Sequence, residues 1–201
     1  MKKIMMTLAA IAVAATMNAQ GYIGGTFGLD FQNKMTDKDG KDATAMSFTI
    51  KPELGFNLDE KSSVGIVLGF STTNNSNEAL KAFTNVQGLN TNIKMDKSLI
   101  TFEVAPYYRY KFLQLDKVDL FIDAQVGFKY YKLDEDNATN FNIGVRPGVA
   151  FNANDKISFV AKLGKGLFFD SFKQKDHDAQ STFGLNANSL AALEIGMYYN
   201  F

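Results

Sequence analysis

His177 is the only histidine in the chain, and it stands near Ser171 and Asp176, so hydroxyl, imidazole and carboxylate lie within one short stretch. Nucleophilic catalysis needs such groups fixed in mutual hydrogen-bond geometry by rigid elements. Residues 173–180 are a polar run that reads as a solvated loop, so no catalytic role is assigned there. The segment Asp37-Lys38-Asp39-Gly40-Lys41-Asp42 offers carboxylates and a glycine, as calcium loops do. It lacks the third early ligand and the distant glutamate of an EF-hand, and a polar turn is the better reading. Gly21, Gly24, Gly25 and Gly28 lack the G-x-G-x-x-G spacing and no helix follows them, so they make no nucleotide cradle. With no cysteine there is no disulfide framework, thiolate metal site or lipidated cysteine. Catalytic residues, metal ligands and cofactors are therefore all read as none.

A second set of chemistry-bearing residues is spaced differently. Lys51, Glu53, Asp123, Arg146, Lys162 and Glu194 each fall on the polar side of an alternating segment. If those segments are strands closed into a small barrel and aligned by their turn ends, Glu53, Asp123, Arg146 and Lys162 meet at one inward level. Glu194 and Lys51 fall one inward step farther. Three acids and three bases would then pair and plug the lumen rather than line an aqueous channel, because eight strands leave an interior just wide enough for side chains.

The elements that must position these charges follow from the rest of the chain. At 201 residues with zero formal net charge, the length fits one domain and the charge gives no hint of a nucleic-acid partner. Residues 1–19 read as a signal peptide: Lys2 and Lys3, an apolar run over 4–15, then a short polar stretch ending at Ala19. Residues 20–201 form the barrel. No later stretch approaches the ~20 consecutive apolar residues of a transmembrane helix. From Gly21 onward the dominant period is two. Strands are expected over 22–31, 46–58, 64–71, 98–112, 118–133, 140–151, 157–169 and 189–201. Tight turns are expected at 59–63, 113–117 and 152–156, and longer polar loops at 32–45, 72–97 and 170–188, with a short amphipathic helix over 77–87. Pro52, Pro106 and Pro147 sit at comparable places before turns, which implies a bulge or bend at one level. An even set of antiparallel strands with short turns on one side and long loops on the other is the topology of an outer-membrane barrel with both termini in the periplasm.

Alternation alone does not say which face looks inward, and a lipocalin-like barrel with an apolar cavity is the competing solution. Residue size separates them. The polar face carries Gly55, Gly65, Gly69, Gly127, Gly144, Gly148, Gly164 and Gly196, which suits a crowded interior, whereas the other face is too rich in Phe, Leu, Ile and Val to fit inside. Lipid is the environment that face requires. Phe31, Phe70, Tyr130 and Phe169 at the loop ends, with Phe56, Tyr110, Phe151 and Tyr199 at the turn ends, form two aromatic girdles.

These features, with the terminal Tyr198-Tyr199-Asn200-Phe201, resemble the outer-membrane β-barrel domain family that includes OmpX-like and opacity-like proteins. The ending Asn18-Ala19-Gln20 of the signal segment resembles that of secreted proteins of Bacteroidota. The family resemblance implies an all-β, eight-stranded antiparallel up-and-down transmembrane barrel in the cell outer membrane, monomeric and not an enzyme. It also implies that Phe201 serves recognition by the barrel assembly machinery. The remaining partners expected are outer-membrane lipid and an extracellular partner met through the loops. The role is structural or one of surface interaction, with no open pore; the alternative is a lipid-modifying or small-ligand-binding barrel.

Overall fold

Along Leu99–Gln114 the side chains of Glu103, Ala105, Tyr107 and Arg109 are buried while those of Phe102, Val104, Tyr108 and Tyr110 are exposed. A strand with buried charge and exposed aromatics on alternate residues has its polar face in a closed interior and its apolar face in lipid. The computed structural model describes residues 20–36, 42–73, 98–133, 136–164, 166–174, 178–185 and 193–201. Among them the chain forms β1 (Gly21–Thr36), β2 (Asp42–Asn57), β3 (Ser62–Thr73), β4 (Leu99–Gln114), β5 (Val118–Leu133), β6 (Asp136–Asn152), β7 (Ile157–Lys162), β8 (Leu167–Gln174), β9 (Gln180–Leu185) and β10 (Glu194–Asn200).

Each strand from β1 to β6 pairs antiparallel with the next, β6 pairs with β7 and β8, and β10 pairs with both β7 and β1. That last pairing closes the sheet. β7 with β8 makes the seventh wall strand and β9 with β10 the eighth, so the ten segments form an eight-stranded antiparallel barrel. Closure pairs the backbone of the wall strands with one another, with β10 joining β1 over residues 22–27, and paired backbone is the condition for crossing a bilayer with strands. The seam is completed at its turn end by Gly21 and Phe201, each donating its N–H to the other's carbonyl at 2.9 Å.

Several expectations need correction. The seventh strand is not continuous over 157–169. Its register against β6 moves from Gly148↔Lys162 to Gly144↔Phe168, two residues more on the seventh strand than on β6. The extra length is taken up between β7 and β8, where Leu163 N–H donates to the Pro147 carbonyl (3.0 Å) and Gly166 N–H to the Val145 carbonyl (2.8 Å). Much of the stretch read as the loop 170–188 is strand, because β8 and β9 pair through Asp170↔Thr182 and Phe172↔Gln180. β1 and β2 likewise run through most of 32–45 and pair as far as Thr36↔Asp42. The prolines mark no bulge: the register passes Gly25↔Pro52, Ile66↔Pro106 and Ile122↔Pro147 unshifted, and the irregularities lie at Gln32/Met35 and Lys111/Leu113 instead. Proline keeps its place because each keeps a partner on the preceding strand and faces outward, where a ring without an N–H costs one ladder bond and no packing. The signal segment 1–19, the helix expected over 77–87, His177, Asp176 and the run 37–41 lie outside the described residues.

Candidate functional site in the barrel lumen

The inward faces of five strands converge on one guanidinium. Arg109 on β4 stands opposite Asp123 on β5, and its Nε and Nη2 donate to the two carboxylate oxygens at 2.7 and 2.9 Å. Nη2 also donates to Glu53 Oε1 on β2 at 3.0 Å. Lys162 on β7 donates to Glu53 Oε2 at 2.6 Å and lies 3.2 Å from Asp123 Oδ2. Tyr198 on β10 completes the set by donating to Glu53 Oε1 at 2.8 Å. Two cations and two anions are thus removed from water together. The bidentate geometry and the remaining bonds offset a desolvation cost that an incomplete set would leave uncompensated.

Four rings surround that guanidinium. Its central carbon lies 4.0 Å from the Phe121 ring centre, 5.2 Å from Tyr107 and 5.3 Å from both Tyr22 and Tyr198. A cation over aromatic faces within about 6 Å gains further electrostatic stabilisation, most when it is dry. The rings fit because each sits across from a glycine: Tyr22↔Gly55, Tyr107↔Gly65, Phe121↔Gly148 and Tyr198↔Gly24. A Cβ on Gly55, Gly65 or Gly148 would run into the ring opposite. Tyr22 and Tyr107 join hydroxyl to hydroxyl at 2.7 Å, which ties the belt across the lumen.

A second tier lies on the loop side. Glu194 of β10 accepts from Lys51 at 2.6 Å and pairs with Arg146 Nη2 at 2.8 Å, with Thr26 Oγ1 at 3.2 Å. Glu103 of β4 is held more loosely, with Gln125 Nε2 at 3.3 Å, Lys51 at 3.5 Å and Lys129 at 3.9 Å. On the turn side of the Arg109 tier lies an open vestibule of about 420 Å³. A run of side chains crosses its wall. Lys111 lies 3.3 Å from Asp119, Asn152 Nδ2 donates to Asp119 at 3.2 Å, Ser158 Oγ to Asn152 Oδ1 at 2.8 Å, and Asn200 Nδ2 to Ser158 Oγ at 3.0 Å.

All six charged residues singled out in the sequence face the lumen, but they divide between tiers. Glu53, Asp123 and Lys162 meet around Arg109, whereas Lys51 and Glu194 meet Arg146. Arg146 shares the register of Asp123, yet its long side chain turns to Glu194 and its Nε donates to the Leu163 carbonyl at 3.3 Å, beside the break between β7 and β8. Arg109, Glu103 and Lys129 were missed. Alternation along β4 carries the signal for the first two: with Phe102, Val104 and Phe112 facing lipid, the residues at 103 and 109 must face inward. Among the described residues no group of three His, Asp or Glu side chains is placed to hold a metal ion.

The chain matches the outer membrane protein beta-barrel domain over residues 4–189. It belongs to that family. The outer membrane protein beta-barrel match covers most of the sequence, and the outer membrane is its location. Neisserial surface protein A has a similar structure, with 10% identity, a TM-score of 0.52, and 90% of this chain and 97% of that chain covered. Ail, the attachment invasion locus protein of Yersinia pestis, solved with the heparin analogue sucrose octasulfate, covers 92% of this chain and 100% of its own at 13% identity and a TM-score of 0.41. The outer membrane protease OmpT of Escherichia coli covers 92% of this chain and 94% of its own at 8% identity and a TM-score of 0.39. No curated protein matches the sequence.

Proposed function

We propose that this outer-membrane barrel is closed to steady aqueous flow and acts through its loops, in a structural or surface-interaction role without catalysis. The observation that carries the reading is the Arg109 tier: cations, carboxylates and four rings from separate strands fill the cross-section that a channel would need open. A filled lumen leaves the loops and the lipid face as the surfaces on which a function can rest, and loops on a rigid scaffold are where binding residues concentrate. In the same reading residues 1–19 are removed on export, Phe201 serves the assembly machinery, and the barrel works as a monomer among outer-membrane lipids with an extracellular partner at its loop end.

Three measurements test this. Purified protein in a planar bilayer is expected to show no sustained porin-like conductance, and a large steady current overturns the closed reading. Protease added to intact cells is expected to cut within residues 74–97 before 59–63; the reverse order inverts the sidedness. Turnover of lipid A or of peptide by the folded barrel in detergent would replace the non-catalytic reading with an enzymatic one.

A further inference from the structure

Around the turn-end mouth of the barrel the backbone is closed from strand to strand. The N–H groups of Asn57, Lys111, Asn152 and Asn200 donate to the carbonyls of Gln20, Lys61, Lys117 and Lys156 at 2.8–2.9 Å. Among the described residues no strand edge is offered there to an incoming peptide, so recognition at this end falls to side chains. Two of those side chains keep donors in reserve. Arg109 commits Nε and Nη2 to Asp123, Glu53 and Tyr198, and its Nη1 donates to none of the described residues. Asn57 Oδ1 accepts from Ser63 Oγ at 2.8 Å, and Asn57 Nδ2 likewise donates to none of them.

Both reserves open into one cavity. Asn142 Oδ1 is the one fully buried side-chain polar atom without a bond among the described residues, so the spare nitrogens of Arg109 and Asn57 are not sealed, and both residues line the turn-side vestibule. An almost buried guanidinium with N–H groups to spare at the floor of an open cavity is an anchor for an oxygen acceptor. Tyr22, Phe121, Tyr198 and Ala150 line the same cavity and give it apolar surface. The charges cancel: Lys111 lies 3.3 Å from Asp119, Asp155 and Lys156 are neighbours in one turn, and Arg109 is matched within the set it forms with Glu53, Asp123 and Lys162. Neither an anion nor a cation meets a complementary field there. The volume of about 420 Å³ falls within the range of small-molecule sites, about 300–1,000 Å³, in which apolar surface binds and a few polar groups orient. Carboxamides, an uncommitted guanidinium nitrogen and apolar patches without net charge fit a neutral ligand that carries many oxygens on a C–H framework. That is the chemistry of a saccharide.

We propose that the turn-side vestibule is a binding site for a neutral saccharide, with Arg109 Nη1 and Asn57 Nδ2 donating to its oxygens and the rings of Tyr22, Phe121 and Tyr198 beneath its C–H framework. The inference goes beyond the loop-centred role and fails separately from it, because the loops lie at the other end of the barrel. Saturation-transfer NMR on the folded barrel in a sugar-free amine-oxide detergent tests it with two neutral disaccharides, cellobiose and N,N′-diacetylchitobiose, beside glucuronate and triglycine. Transfer to the ring protons of at least one disaccharide is expected, exceeding that to glucuronate or triglycine. Asn57→Ala is expected to weaken the binding about tenfold, the loss that follows removal of a hydrogen bond. Ala150→Phe, which fills the cavity, is expected to abolish it, and Lys61→Ala, outside the lining, to leave it unchanged. Thermal melts followed by circular dichroism report whether each variant is folded, and Asn57→Ala decides alone if Ala150→Phe is not. No transfer to either disaccharide overturns the site, as does binding that persists undiminished in a folded Asn57→Ala or Ala150→Phe barrel. Stronger binding of glucuronate or triglycine overturns the assignment to a neutral saccharide.

Discussion

Arg109 and Asp123 face each other across β4 and β5 and share two parallel bonds, at 2.7 and 2.9 Å, inside a lumen that leaves both side chains almost fully buried. Arg109 also holds Glu53, so its removal leaves two buried carboxylates with Lys162 as their remaining cation. Arg109→Ala is expected to destabilise the barrel by roughly 3–5 kcal/mol, the range for breaking a buried charge set from one side. Arg146→Ala is expected to cost less, because Lys51 stays 2.6 Å from Glu194. Lys61→Ala, on an exposed turn, serves as the baseline. Urea midpoints in one detergent check the order, and equality of the Arg109 and Lys61 variants would count against the tier.

The ring-and-glycine pairs make a steric prediction. A Cβ at Gly55 would collide with the Tyr22 ring, so Gly55→Ala is expected to lower stability by about 1–3 kcal/mol, the cost of overpacking. In the Tyr22→Ala background the same change is expected to cost markedly less, because neighbouring substitutions couple when one removes the other's obstacle. A double-mutant cycle on unfolding midpoints measures this, and strict additivity would show that the glycine has some other purpose.

Asp59 lies in the turn between β2 and β3, where the backbone N–H groups of Lys61 and Ser62 each donate to its Oδ1 at 2.7 Å. The bond from Lys61 is the main cause holding this exposed carboxyl below its usual pKa. A group whose pKa is lowered by folding contributes stability above its unfolded value, near about 3.9 for Asp, and loses it as pH falls through the folded value. The stability difference between wild type and Asp59→Asn should therefore hold constant above about pH 5 and shrink only on acidification below about pH 3.9. A difference that instead grew toward acid would reverse the assigned sign.

Phe201 contributes a backbone bond in each direction at the seam with Gly21. Deleting it is expected to lower the yield of folded barrel in the outer membrane, while the fraction that does fold keeps nearly wild-type stability, since only the last pair of the β1–β10 seam is lost. An unchanged yield would remove the assembly role proposed for this residue.

The wall was legible where one face is wholly apolar and the other polar or small. The boundaries expected for 118–133 coincide with β5 because Leu120, Ile122, Val126 and Phe128 alternate with Asp119, Asp123 and Gln125, Phe121 being the one large apolar residue on the inward face between them. Phe121 faces inward for a reason the pattern does not carry: Gly148 stands across from it. Arg109 was hidden for a related reason. Tyr107, Tyr108 and Tyr110 put rings on both faces of β4, and alternation fades when both faces are aromatic. The break between β7 and β8 was missed because apolar residues flank it on both sides, Leu163 before and Leu167-Phe168-Phe169 after, and the glycines between them were read as part of the strand. The destination of Arg146 was beyond reach for another reason: register fixes which Cα atoms stand opposite one another, but strand tilt separates their heights, and a guanidinium at the end of a long side chain can serve the next tier.

The mutual bonds between Gly21 and Phe201 give the polypeptide an almost circular topology. In a ring of paired strands no strand is intrinsically first, and the position of the ends is a property of the gene rather than of the sheet. A chain joined from residue 201 to residue 20 by a short linker and reopened at the turn between β6 and β7 would present the same hydrogen-bond ladder and the same lumen. It would carry its carboxyl terminus on a different strand, so a circular permutant separates what the closed sheet needs from what delivery of the sheet to its membrane needs.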